Sequence, residues 1–385
     1  MRVLFFRFFV TLALYRAFRC YLGEIPILHG NRKNKRTVAA LRVLRAMRYH
    51  CTPWLNGGIA TTIWSSFFRS TPRVSFRREI VELTDGGTVA LDWAGCATDS
   101  DAAPTLLILH GLTGGSHEAY VRHLVRAALA RSWSVVVMNA RGCGGNTLRT
   151  PMTFTAARTA DLRHVIAFLR SGHSSDASAS CVASGGLLFA AGFSLGAGIL
   201  GKFVGEEGAA GRKGGGLDAA VLNSAPFDLN HEAENFWLFS PALCRGLQDW
   251  LRRNEAPFRA TTQHGVDLSS VYGSRTVREF DQRAVVPLMG YRDVEHYYRD
   301  ASTKAHIGHA RIPVLALNSL DDPVCAGSAV PAAALAAANE HVVIALTQQG
   351  GHVHFPRGWW PRNQSWSDDV TLAFFEEMQN SDAEQ

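Results

Sequence analysis

Leu187-Leu188-Phe189-Ala190-Ala191-Gly192-Phe193-Ser194-Leu195-Gly196-Ala197-Gly198-Ile199-Leu200 is the stretch on which the reading of this 385-residue chain turns. Its first half is an apolar run preceded by Gly185-Gly186, the pattern of a strand buried on both faces. Its second half fits a helix. At the junction, Gly192-Phe193-Ser194-Leu195-Gly196 matches G-x-S-x-G, in which small neighbours permit a sharp strand-to-helix turn with a serine hydroxyl at its tip. Five-residue patterns arise by chance in a chain with 35 glycines, so the strand before and the helix after carry the weight.

Outward from this turn, short apolar runs alternate with helix-period segments from about residue 74 onward. Residues 74–83 and 88–94 flank Asp85-Gly86-Gly87 and read as a hairpin; residues 105–110, 134–140, 187–193, 219–224, 314–318 and 342–347 read as core strands. Helices are expected at 117–131, 156–170, 195–205 and 327–339. The fold class is therefore α/β, with a mostly parallel central sheet flanked by helices. Ser/Ala/Gly-rich residues 171–186 and Gly-rich residues 205–216 are expected as surface loops. The expected organisation is a targeting or anchoring segment over 1–23, an extension packing on the core over 24–73, core from 74–227 and 312–380, and a helical cap over 228–311. The cap is rich in bulky residues, including Phe236, Trp237, Leu238, Phe239, Trp250, Leu251, Tyr297 and Tyr298, which either fill its own core or line a pocket.

A serine hydroxyl is a weak nucleophile near neutral pH, so Ser194 needs a base, and the base an orienting carboxylate, in the chain order Ser, Asp, His. The predicted strand at 314–318 leads to Leu320-Asp321-Asp322-Pro323, and that at 342–347 to Gly350-Gly351-His352-Val353-His354. Asp322 is the expected acid, because Pro323 favours an extended residue before it, with Asp321 as the alternative. His352 is the expected base in preference to His354, since the glycines before it leave room for a loop over the serine. His110 is a rival base, but His110-Gly111-Leu112-Thr113-Gly114-Gly115 reads better as an oxyanion loop. Backbone N–H groups of Leu112 or Thr113 and of Leu195 would then face the developing charge. Neither this segment nor Arg141-Gly142-Cys143-Gly144-Gly145 has the lysine or spacing of a phosphate loop.

With 47% hydrophobic and 19% charged residues the chain reads as a globular enzyme. Much of its net charge of +6 comes from arginines and lysines before residue 50, which suit membrane flanks at least as well as nucleic acid. Seven scattered cysteines without a C-x-x-C pair read as reduced thiols in an intracellular protein. No metal or organic cofactor is called for. Residues 3–22 are apolar apart from Thr11, Arg7, Arg16 and Arg19, and no acid precedes Glu24. That length suits a single N-terminal membrane anchor or interfacial helix, with the catalytic domain on the cytoplasmic side; a mitochondrial presequence and a buried helix are the other readings.

Several segments together resemble family 4 of the α/β-hydrolase superfamily, which includes YheT-type hydrolases, phospholipases acting on medium-chain phosphatidylcholines, and medium-chain fatty-acid ethyl-ester synthase/esterases. They are Thr52-Pro53-Trp54-Leu55-Asn56-Gly57 with Thr61-Thr62-Ile63-Trp64, Asp85-Gly86-Gly87 with Leu91-Asp92-Trp93, the His110 and Arg141 segments above, the serine turn, Gly290-Tyr291-Arg292-Asp293-Val294-Glu295-His296-Tyr297-Tyr298, and Gly350 to Phe355. The resemblance implies an α/β-hydrolase fold with a helical cap, and Ser194, Asp322 (or Asp321) and His352 as triad. The apolar cap and the possible anchor make a lipid, phospholipid or short-to-medium acyl ester the expected substrate and a membrane surface the expected partner, with no nucleic acid. His354 departs from the glycine usual in that family two residues after the histidine. Acyl transfer to an alcohol and a catalytically silent lipid-binding scaffold are the rival functions.

Overall fold

The computed structural model describes residues 11, 14–95, 103–171, 185–235, 238–260 and 265–383. Its centre is a nine-stranded sheet: β1 (Ile27–Gly30), β2 (Arg77–Glu82), β3 (Thr88–Ala94), β4 (Thr105–Leu109), β5 (Ser134–Asn139), β6 (Leu188–Phe193), β7 (Ala219–Asn223), β8 (Val314–Ser319) and β9 (Val342–Thr347). The spatial order is β1-β9-β8-β7-β6-β4-β5-β3-β2. The six strands lying between β9 and β5 in that order, both included, run parallel, while β1, β2 and β3 pair antiparallel at the two edges. This is the α/β-hydrolase fold expected from the sequence.

The parallel strands are buried throughout, and alternate residues feed opposite faces. Leu107 and Leu109 of β4 join one core with Leu200, Phe203 and Val204 of α5 (Leu195–Ala209), and with Leu162, Val165 and Ile166 of α4 (Ala160–Ser171). Leu106 and Ile108 join the other, with α1 (Lys35–Ala46), α3 (Ala119–Leu129) and α14 (Trp366–Ala383). A further helix, α2 (Gly58–Phe68), precedes β2. Between β7 and β8 the chain forms α6 (Leu229–Asn235), α7 (Ser240–Arg253), α8 (Ala256–Arg259), α9 (Leu268–Tyr272), α10 (Val277–Phe280), α11 (Val286–Met289) and α12 (Val294–Ala301). Helix α7 has the stripe that explains its docking: Cys244, Leu247, Gln248, Trp250 and Leu251 are buried, and its arginines stay outside. After β8, α13 (Ala332–Ala338) leads into β9.

Three expectations are corrected. Residues 205–216 are not all loop, because α5 continues to Ala209. Its glycines are packing surfaces: a Cβ on Gly205 would lie 2.3 Å from the His306 carbonyl oxygen, and one on Gly208 1.8 Å from that of His309. The helix expected at 327–339 begins only at Ala332, after a 3₁₀ turn at Gly327–Ala329. The N-terminal extension does more than pack on the core, since β1 enters the sheet beside β9. Most of the expected anchor, and most of the expected loop at 171–186, lie outside the described residues. Residues 14–22 are helical, and no helix among the described residues is long and apolar enough to cross a membrane. The five described cysteines are free thiols.

A buried ion cluster ties the β2–β3 turn to the sheet. Arg141, 1% exposed, holds Asp161 through two bonds of 2.6 and 2.9 Å and Asp85 at 2.9 Å; Arg158 bridges the same two carboxylates from outside. The Arg141 segment is therefore scaffold. Removing one partner of a buried pair costs about 3–5 kcal/mol, and Arg158 softens the loss. Arg141→Met is accordingly expected to lower unfolding stability by about 3 kcal/mol in urea denaturation.

Candidate functional site

The loops leaving the carboxyl ends of β4, β6, β8 and β9 converge, which is where open α/β sheets place their ligands. Ser194 follows β6 directly, with φ 52° and ψ −122°, a conformation L-residues rarely hold. Its neighbours make the turn possible. A Cβ on Gly192 would sit 2.6 Å from Ala197 Cα, and one on Gly196 2.5 Å from the His110 carbonyl oxygen. The start of α5 thus lies directly against the end of β4, and the Ser194 N–H is pinned to the Asn223 carbonyl at 2.9 Å.

His352 lies on the loop after β9, with Nε2 2.9 Å from Ser194 Oγ. Its Nδ1 is 2.9 Å from Asp322 Oδ2 and 3.1 Å from Oδ1. Asp322 is itself fixed, because its Oδ1 accepts the Val324 and Cys325 N–H groups at 2.8 and 2.9 Å. Asp321 points elsewhere: its Oδ1 accepts the Ser319 hydroxyl at 2.5 Å and the Gly351 N–H at 3.0 Å, tying the β8 and β9 loops together. Such a chain can take the hydroxyl proton as the serine oxygen attacks, the carboxylate holding the imidazole in the Nδ1–H tautomer.

The loop bearing His352 is held by groups the sequence reading did not single out. The His352 N–H donates to Thr62 Oγ1 at 2.9 Å, from α2 in the N-terminal extension, and the Val353 N–H donates to Ser224 Oγ at 3.0 Å. Thr62 stands within a quoted motif, but only the fold shows that α2 reaches the site.

His110 cannot serve as a base. Its Nδ1–H donates to the Gly111 carbonyl at 2.7 Å and its Nε2 accepts the Ala140 N–H at 3.1 Å, while burial lowers its pKa and keeps it neutral. His354 is buried beside Arg69, which lies 3.5 Å from its Nδ1. Burial first, then the charges of Arg69 and His352, hold its pKa well below the usual range. Leu112 and Leu195 line the site, and neither backbone N–H has an acceptor among the described residues. Thr113, the other oxyanion candidate, adopts φ 55° and lies outside the lining.

Ser194 and His352 open onto a cavity of about 330 Å³, at the small end of the roughly 300–1,000 Å³ of ligand pockets. Its walls include Phe154, Trp250, Phe280 and Tyr297, so the bulky residues between β7 and β8 both pack together and line the pocket. Phe236 and Trp237 lie outside the described residues. Of the carboxyls lining the cavity, burial pushes two up: Glu232 well above the usual range and Asp281 to about 7, the latter despite a 2.9 Å hydrogen bond from the Tyr298 hydroxyl. At mildly acidic pH Asp281 is largely uncharged.

Asp281 makes stability depend on pH. Its pKa is higher in the folded than in the unfolded protein, so stability is lost as pH rises from about 4 towards 7 and the unfolded chain ionises first. The difference between Asp281→Asn and wild type in chemical denaturation is therefore expected to be small at pH 4 and to favour the variant by a few kcal/mol at pH 8, since each tenfold change in an ionisation equilibrium is worth about 1.4 kcal/mol.

Residues 106–358 match the family model described as "Alpha/beta hydrolase family". The human protein "Phospholipase ABHD3" is 34% identical over 340 residues, covering 86% of this chain and 79% of its own. The Saccharomyces cerevisiae "Monoacylglycerol lipase" is 31% identical over 79% of this chain and 68% of its own, and the Escherichia coli "Putative esterase YheT" is 31% identical over 77% and 85%. With its sheet, its strained serine turn and these similarities, the chain belongs to the α/β-hydrolase family.

Proposed function

We propose that this protein hydrolyses carboxylic esters of lipids, or short-to-medium acyl esters, through an acyl-Ser194 intermediate. The observation that carries the reading is the hydrogen-bonded chain Ser194–His352–Asp322 at the floor of an apolar cavity. Ser194 Oγ attacks the ester carbonyl as His352 Nε2 takes its proton. The backbone N–H groups of Leu195 and Leu112 meet the oxyanion, and removing one such donor typically costs roughly 2.7–4 kcal/mol. The carbonyl re-forms, the alcohol leaves with the His352 proton, and a water activated by the same imidazole releases the acid. Asp322 keeps the imidazole oriented throughout.

The aromatic and aliphatic walls suit an acyl chain, and the pocket volume suits one of modest length. Relatives named phospholipase, monoacylglycerol lipase and esterase support an ester substrate drawn from a lipid surface. The test is a substrate panel on purified full-length protein: nitrophenyl esters of increasing acyl length, a monoacylglycerol, a phospholipid and a polar amide. Release of acid from the acyl esters is expected, with loss of rate once the chain outgrows the pocket. Cleavage of the amide alone would contradict the reading.

A further inference from the structure

The outer side of α2 is apolar and open to solvent. Ile59, Ile63 and Phe67, four residues apart, lie 48%, 43% and 78% exposed along one stripe. The surface continues beyond the helix. Trp54 packs against Trp64 with ring centres 4.6 Å apart and against Trp360 at 6.0 Å, and its indole N–H donates to the Trp359 carbonyl at 2.7 Å. Trp359 and Trp360 are themselves more than half exposed. On the other flank, Arg16 binds the carbonyls of Pro53 and Leu55, which brings the helical segment 14–22, with exposed Tyr15 and Phe18, alongside. Contiguous exposed apolar surface of this kind marks an interaction site, and tryptophan and tyrosine favour the headgroup level of a bilayer.

Charge selects the partner. Residues 1–78 hold fifteen lysines and arginines and a single acid, Glu24, whereas residues 79–385 hold 24 basic and 32 acidic residues. The fringe of the apolar surface is accordingly basic. Arg19 is exposed on the helical segment, Arg48 reaches the Leu22 and Gly23 carbonyls at 3.2 Å, and Arg362 reaches the Phe68 carbonyl at 3.3 Å. Two copies meeting through this face would oppose the same positive excess, while an anionic phospholipid surface neutralises it. The inner side of α2 gives the arrangement its use: Thr62, Ser65 and Ser66 line the cavity, and Thr62 holds the His352 loop.

We propose that this face, formed by α2, the Trp359-Trp360 loop and the segment 14–22, docks the protein on an anionic phospholipid bilayer, so that an acyl chain passes beside α2 into the cavity. The docking deepens the lipid-ester reading and rests on it for the cargo, but it is measured separately. Full-length protein is mixed with phosphatidylcholine vesicles with or without phosphatidylserine, and amide hydrogen exchange is followed. Residues 59–68 and 357–362 are expected to gain protection only with phosphatidylserine. The variant Phe67→Ser/Trp359→Ser/Trp360→Ser, altered only at exposed side chains, is expected to bind such vesicles at least about tenfold more weakly. Its turnover of a water-soluble short ester is expected to match wild type. Protection confined to residues 1–22, vesicle binding by the variant equal to wild type, or a wild-type dimer that the variant dissolves would each overturn the docking. Protection of α2 without any ester turnover would leave the docking standing and remove the ester reading.

Discussion

Ser194→Ala is expected to lower kcat for any acyl ester by about 10⁴–10⁶-fold, the range seen when a serine nucleophile is removed. KM is expected to change little, because the hydroxyl contributes to the reaction and not to uniform binding of the substrate. The folded state loses the 2.9 Å hydrogen bond to His352 and a contact with the Cys325 thiol, about 1 kcal/mol. The strained backbone is set by its surroundings, namely the Asn223 carbonyl and the close contacts at Gly192 and Gly196. Steady-state kinetics alongside a urea melt therefore separate chemistry from folding. A variant with wild-type stability and undiminished turnover would place the reaction at another residue.

The second large effect separates two adjacent aspartates. Asp322→Asn is expected to cost about 10⁴-fold in kcat. The reason lies in what holds that side chain. Its Oδ1 is committed to the Val324 and Cys325 N–H groups, so an asparagine keeps its carbonyl there and turns its NH₂ towards His352 Nδ1. The imidazole then adopts the opposite tautomer, with Nε2–H facing Ser194, and can no longer accept the hydroxyl proton. Asp321→Asn leaves that chain intact and disturbs the bonds to Ser319 and to the Gly350-Gly351 backbone, so a loss of at most about 10²-fold is expected from misplacement of the loop. Kinetics of the two variants on one soluble ester decide between them, and the opposite ranking would move the acid to Asp321.

The parallel sheet was legible because its strands are buried on both faces and therefore read as unbroken apolar runs; the serine turn was legible because its glycines are demanded by contacts under 3 Å. The edge strand β1 was not. It is four residues long, partly exposed and includes His29, so neither length nor periodicity marks it, and only its pairing with β9 makes it a strand. Helix α5 ran further than its glycines suggested, because Gly205 and Gly208 serve close packing against His306 and His309 in place of a turn. At the site, chain order sufficed to nominate Ser194, His352 and the pair Asp321-Asp322, with Pro323 favouring Asp322. It could not separate Asp322 from Asp321, since both follow the same strand and only side-chain direction differs. Thr62 lies 290 residues from the His352 N–H it accepts, and no local pattern encodes such a contact. Asp281 was missed for a related reason: among helices that supply many charged residues, only burial beside Tyr298 distinguishes it.

Whether Ser194 is an activated nucleophile is decided by covalent labelling of the purified full-length protein with a fluorophosphonate, in which an activated serine oxygen displaces fluoride from phosphorus, followed by peptide mapping. One dominant adduct is expected on the peptide containing Ser194, absent from Ser194→Ala and strongly slowed in Asp322→Asn. Folded wild-type protein that takes up no label, or takes it up at a residue other than Ser194, would contradict the assignment.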